Sequence, residues 1–249
     1  MNKSLFIVIA LTTIVFTNAW AQSFKVFKGD TINRIDAKGQ KQGVWRLYYP
    51  TDTLFSSSTF KNGKRTGRFN TYYPTGKLQS QLNFRTNSDI SDGMLYYESG
   101  QIMAKGKYIG KEKDSTWCMY DENGKLKATE YYARGIKQGV FTDYYSDGKT
   151  ARRVNYKAGK REGKYEEFFE SGKPKLTGQM KNDAFEGEMI IYTPAGTIWQ
   201  KGKYVGGLRE GEWITFNDKG AIESKANYIH GELPDAVPEK ETPISDPEK

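Results

Sequence analysis

The stretch Gly67-Arg68-Phe69-Asn70-Thr71-Tyr72-Tyr73-Pro74-Thr75-Gly76-Lys77-Leu78 decides the fold. It reads as a short strand, a tight turn marked by Pro74-Thr75-Gly76, and the start of a second strand ending at Phe84. Glycine suits such turns because one residue adopts positive φ, where a Cβ would clash. The same phrase returns as Gly139-Val140-Phe141-Thr142-Asp143-Tyr144-Tyr145-Ser146-Asp147-Gly148-Lys149, which is 72 residues on, or three steps of 24. Between copies lies a second turn, Asn62-Gly63-Lys64-Arg65-Thr66-Gly67, echoed by Ala158-Gly159-Lys160-Arg161-Glu162-Gly163.

Stepping through the chain by 24 aligns whole columns. Tyr48, Tyr72, Tyr96, Tyr120, Tyr144, Phe168, Tyr192 and Phe216 form an unbroken aromatic column. Phe60, Phe84, Tyr108, Tyr132, Tyr156, Met180, Tyr204 and Tyr228 form another. Glycine recurs from Gly76 to Gly220, with Asp52 in the first place, and again at Gly43, Gly67, Gly139, Gly163, Gly187 and Gly211, with Ser91 and Ser115 in between. Eight units pass without insertion or deletion. The spacing predicts an all-β, elongated and twisted antiparallel single-layer sheet, a meander of about eight 24-residue hairpin repeats. Sixteen strands at about 4.8 Å each reach roughly 75 Å.

Units of the form Gly-x-Trp/Phe-x-x-Tyr-Tyr-x-x-Gly-Lys-Leu, followed by an aromatic residue and Asn-Gly-Lys-x-x-Gly, resemble MORN repeats over about residues 33–231. They are most similar to the bacterial MORN-variant family identified with antitoxins of toxin–antitoxin systems. That resemblance implies a binding or scaffolding module, and an antitoxin-like or immunity-like one in particular. The third unit, with Ser91 and Gly93 where glycine and an aromatic are usual, matches least and marks a local irregularity.

The flanks read differently. Met1-Asn2-Lys3, the apolar run from Leu5 to Phe16 and Ala19-Trp20-Ala21 predict a signal peptide over 1–21 and export to a periplasm or the exterior. An apolar run of about a dozen residues is too short for the ~30 Å of hydrocarbon a span must cross. The repeat domain then occupies 22–231. Residues 232–249 hold six acids, two lysines and four prolines and predict a disordered acidic tail. The chain's formal charge is +8; without Lys3 and this tail, residues 22–231 carry +11.

Alternation sorts the residues by face. Leu78, Ser80, Leu82 and Phe84 share one side. If Phe60 lies opposite Phe69 and Tyr73 opposite Leu78, that side also collects Trp45, Trp117, Phe141, Tyr165, Met189 and Trp213 as a core stripe. The same parity puts the Tyr48-to-Phe216 column on the other, polar face. Either a bulge beside Gly67 and its equivalents turns these rings inward, or Lys and Arg stems cover them from outside. The column is also the candidate partner-binding ladder, since Tyr and Arg are favoured at interface centres. The sheet's apolar surface calls for cover by a partner, a second copy or its own curl. The strand ends near Ile32–Ile35 and Asn227–Ile229 are candidates for strand addition, or for capping by the termini.

Composition narrows the chemistry. One His and one Cys in 249 residues leave little from which to build a zinc cluster, disulfide framework or Ser-His-Asp triad. Cys118 is expected to pack in the sheet, and His230 to sit in a surface turn. Glu166, Glu167, Glu186 and Glu188 read as solvated strand residues pairing with Lys. The Gly-Lys pairs lack the spacing of a phosphate-binding loop. The expectation is a non-enzymatic protein without metal or cofactor that binds a protein partner. The alternative is an anionic envelope glycan or phospholipid headgroup held by the aromatic and basic face. Export argues against nucleic acid, the usual inference from basic, aromatic sheets.

Overall fold

The structure, a computed structural model, describes residues 22–27, 29–85 and 88–233. The expected leader and, from residue 234 on, the expected tail lie outside the described residues.

Within them, twenty strands form one open antiparallel meander without helices. The eight hairpins run from Lys41–Tyr48 paired with Leu54–Lys61 to Leu208–Phe216 paired with Ile222–Tyr228. Two arms are interrupted, at Gln138 and at Glu186, which raises the strand count. The sequence period missed a further hairpin, Ser23–Phe27 with Asp30–Ile35, packed before the first unit. Ile32 is therefore buried, and the outer strand at this end is Ser23–Phe27 rather than Ile32–Ile35.

One face carries the core. Edge-to-face and tilted ring contacts link Tyr132, Phe141 and Tyr156, and then Tyr165, Phe185, Tyr204, Trp213 and Tyr228, with centroids 4.4–6.3 Å apart. Such pairs contribute about 0.5–1.5 kcal/mol beyond burial. Trp117 and Trp213 are fully buried in a single layer because each lies back over a glycine of the preceding strand, Gly106 and Gly202. Their indole N–H groups donate to the Lys107 and Lys203 carbonyls at 3.0 and 3.2 Å.

The expected register is off by two in one place and by one in another. Ser58, not Phe60, opposes Phe69, while Phe60 opposes Arg65. The arm holds two extra residues around Gly67, which takes φ of 66°. That irregularity brings Lys41, Arg65, Lys113, Lys137 and Arg209 back over the core face, each cation above two rings. A second register shift occurs in every unit next to the aromatic column, so Tyr72, not Tyr73, opposes Leu78.

Neighbouring units are tied along both edges. The hydroxyls of Tyr49, Tyr73, Tyr97 and Tyr145 donate to the carbonyls of Tyr72, Tyr96, Tyr120 and Phe168, each 23 residues ahead. On the opposite edge, side chains of Gln42, Asp114, Gln138, Glu162, Glu186 and Glu210 accept from backbone N–H groups 20 residues ahead.

The third unit is where the repeat differs, and the difference has a simple cause. Ser91 is absent from the positive-φ residues and is buried, so this arm pairs without the two-residue irregularity, from Ser80 opposite Leu95 to Phe84 opposite Ser91. The length stays at 24, so those two residues go into the turn. Arg85 and Ile90 close it, with Arg85 N–H donating to the Ile90 carbonyl, where Lys61 and Lys64 close a two-residue turn one unit earlier. Tyr108 covers Gly93, filling the space of the missing ring.

Candidate functional site

The rings Tyr48, Tyr72, Tyr96, Tyr120, Tyr144, Phe168, Tyr192 and Phe216 are all half-buried. The extra residue of each nearby bulge lies on the following strand, such as Phe55 opposite the Leu47–Tyr48 step. The column's own strand therefore keeps its alternation, and the rings stay on the face away from the tryptophans. Lys105 stands over Tyr120 at 5.2 Å, Arg153 over Phe168 at 5.4 Å and Lys201 over Phe216 at 5.7 Å. The Tyr120 hydroxyl also draws the Lys105 ammonium above its ordinary range. Basic stems cover these rings from outside, the second of the two arrangements open to the sequence.

Two residues before each ring, on the same face, stand Arg46, Asn70, Met94, Cys118, Thr142, Glu166, Ile190 and Ile214. Their cross-strand partners include Ser57, Gln81, Lys105, Arg153 and Lys201. The face changes character along its length. Near the N-terminal end, Gln81 donates to Asn70 and Asn70 to the Tyr72 hydroxyl, beside a concavity of about 320 Å3 lined by Arg46, Ser57 and Arg68. Asp30 holds Arg46 at 2.8 Å and, as the largest cause, raises its pKa. Further on, the charges pair, Lys164 with Glu166 at 2.7 Å and Lys225 with Glu212 at 2.9 Å. The second of these is an exposed pair, of a kind that contributes about 0–1 kcal/mol.

The other sequence candidates are placed as follows. His230 sits in an exposed turn with its N–H bonded to Glu210. Cys118 is half-buried on the ring face, and Glu167 pairs with Lys175 at 3.3 Å. Glu186 caps a backbone N–H instead of pairing with a lysine. Among the described residues no group of three His, Cys, Asp or Glu side chains stands where it could hold a metal ion. The hydroxyl ladder of Tyr49 and its equivalents escaped the sequence reading; the repeated Tyr-Tyr doublet was its signal.

The core tyrosines set an alkaline limit. Burial raises the phenols of Tyr108, Tyr132 and Tyr165, and hydrogen bonds to Glu130 and Glu167 push the latter two further. A folded pKa above the unfolded value favours folding below the unfolded value, and that contribution is lost as pH rises through the folded one. The urea midpoint should hold to about pH 9.5 and fall above ~10, where free tyrosine ionises. In Tyr132→Phe the fall should be shallower. Tyrosinate absorbance rising near pH ~10 with an unchanged midpoint would contradict this.

Of the comparisons with known proteins, the family model agrees with the repeat architecture. No curated protein matches the chain. Among solved structures, it is similar to a chain of the Photorhabdus luminescens Tc holotoxin pore at 13% identity and a TM-score of 0.23, over 81% of this chain. It spans only 13% of that chain's length. The model of the MORN repeat variant matches residues 41–62, 65–85, 113–134, 137–158, 161–182 and 209–230, more than half of the chain. It skips the third unit, where the arm runs without its usual irregularity, and also the seventh. With its columns, turns and hairpins accounted for, the chain belongs to the MORN repeat variant family.

Proposed function

We propose that this protein is an exported, non-enzymatic scaffold whose ring-bearing face binds a partner protein, in an antitoxin-like or immunity-like role. One observation carries the reading: a continuous row of half-buried aromatic rings, several under Lys or Arg, along an open sheet face. Flat rings with basic groups between them supply contact area at low entropic cost, as interface centres do. An anionic envelope glycan or phospholipid headgroup is the second reading, favoured by the amide- and arginine-lined concavity near Asn70.

The test is a triple change of Tyr96, Tyr120 and Tyr144 to alanine. These rings lie outside the tryptophan stripe, so the variant should fold, with an unchanged β-sheet circular dichroism spectrum. Capture of a stoichiometric protein from native envelope material should drop at least about tenfold, the loss of roughly 1.4 kcal/mol. Unfolding of the variant would make the column structural, and undiminished capture would remove it from the interface. Sedimentation with cell-wall material or liposomes in place of protein capture would favour the second reading.

A further inference from the structure

The concavity beside Asn70 exists because its floor is short. It lies on the ring face over the strand Leu54–Lys61, where Ser57 stands opposite Arg46 on one side and Asn70 on the other, and Thr59 stands opposite Val44. Five later units carry Gln, Lys or Arg at the place of Ser57. The remaining two carry Thr129 and Thr177, followed on the face by Tyr131 and Gln179 where Thr59 follows Ser57. Two short residues in succession therefore occur in the first unit alone, and the hollow of about 320 Å3 opens there between the taller side chains of the flanking strands. Strand alternation puts Arg46, Ser57, Thr59, Arg68, Asn70 and Tyr72 on this one face.

Two features define what fits. The first is charge. Asp30 holds Arg46 at 2.8 Å, whereas Arg68 is exposed and forms no ion pair among the described residues, so the hollow has one cation to spare. A singly charged group matches it, and a guanidinium fork takes both oxygens of a carboxylate. The second is the hydroxyl and amide lining. Gln81 donates to Asn70 Oδ1 at 3.2 Å and Asn70 donates to the Tyr72 hydroxyl oxygen at 3.3 Å, which Ser57 Oγ also approaches at 3.5 Å. The second Asn70 N–H and the hydroxyls of Ser57, Thr59 and Tyr72 are left for a ligand rich in hydroxyls of its own, with Val44 and Leu54 as apolar contacts for its C–H groups.

We propose that this hollow binds a uronic-acid-type sugar unit, its carboxylate on Arg68 and its hydroxyls on Ser57, Thr59, Asn70 and Tyr72. The inference names the ligand of the second reading above, an anionic glycan, and rests on that reading.

Calorimetric titration of the full chain with trigalacturonate tests it, with cellotriose as the neutral counterpart. One saturable site is expected, and cellotriose should bind at least about tenfold more weakly. Arg68→Gln removes the bonds to the carboxylate, and Ser57→Gln fills the floor with the residue that the next unit carries there as Gln81. Each should weaken trigalacturonate binding roughly tenfold or more. Lys164→Gln, at the place of Arg68 four units on, should change it less than about twofold. Absence of trigalacturonate binding, equal binding of cellotriose, or equal losses in Arg68→Gln and Lys164→Gln would overturn the site. Binding of phosphatidylglycerol vesicles in place of trigalacturonate, lost in Arg68→Gln, would overturn the sugar in favour of a lipid headgroup. Sedimentation with native cell-wall material separates the two levels: wall binding without trigalacturonate binding removes the sugar assigned here and leaves the second reading, and absence of both removes the reading as well.

Discussion

Trp117→Ala should destabilise the protein by about 3–5 kcal/mol, the cost of emptying a fully buried aromatic site. The indole is covered although the sheet is one layer thick. It lies on Gly106, meets the Tyr108 ring edge-on at 4.8 Å and carries the Lys113 ammonium at 4.7 Å. Its N–H bond to the Lys107 carbonyl would also be lost, about 1 kcal/mol more. No second layer can collapse into the space, so relaxation should recover little. Urea unfolding followed by circular dichroism measures the loss. Tyr131→Ala, at an exposed ring in the next strand, should stay within about 0.5 kcal/mol. A Trp117→Ala loss below about 1 kcal/mol would mean the stripe is not the core.

The second large effect comes from the glycine beneath that ring. A Cβ at Gly106 would stand 2.4 Å from the Trp117 ring, and one at Gly202 2.2 Å from Trp213. Gly106 is not at positive φ, so space alone demands glycine there. Gly106→Val should cost at least about 1–3 kcal/mol, the range for overpacking. A double-mutant cycle separates space from backbone preference. In the Trp117→Ala background the clash is gone, and Gly106→Ala should become neutral or stabilising by about 0.4–1 kcal/mol through the unfolded chain. Equal costs in both backgrounds would refute the ring-on-glycine account.

Much of this architecture was legible in the residues. The 24-residue columns set the hairpins, and strict alternation assigned Trp45, Phe69 and Trp117 to one face and Tyr48 and Tyr72 to the other. Register was less legible. Gly67 announces a positive φ but not the number of residues that its irregularity absorbs, so Phe69 was aligned with Phe60 in place of Ser58. Ser91 and Ser115 look alike in sequence, yet Ser115 takes φ of 59° and Ser91 does not. Ser115 precedes Trp117, which must reach Gly106, whereas Ser91 precedes Gly93, which has no ring to place. The hairpin Ser23–Phe27 with Asp30–Ile35 follows no column, so periodicity had nothing to say about it. At the candidate site the ring column itself was legible. The cations above it come from other strands, and pairing them required the register.

The tyrosine hydroxyls of the edge ladder never reach beyond the next unit, and the opposing caps span 20 residues. Such an array can gain or lose length only in whole hairpins, each advancing the sheet by about 9.6 Å. The number of copies thus works as a ruler. A partner gripping several rings at once would read the protein's count of units as a distance.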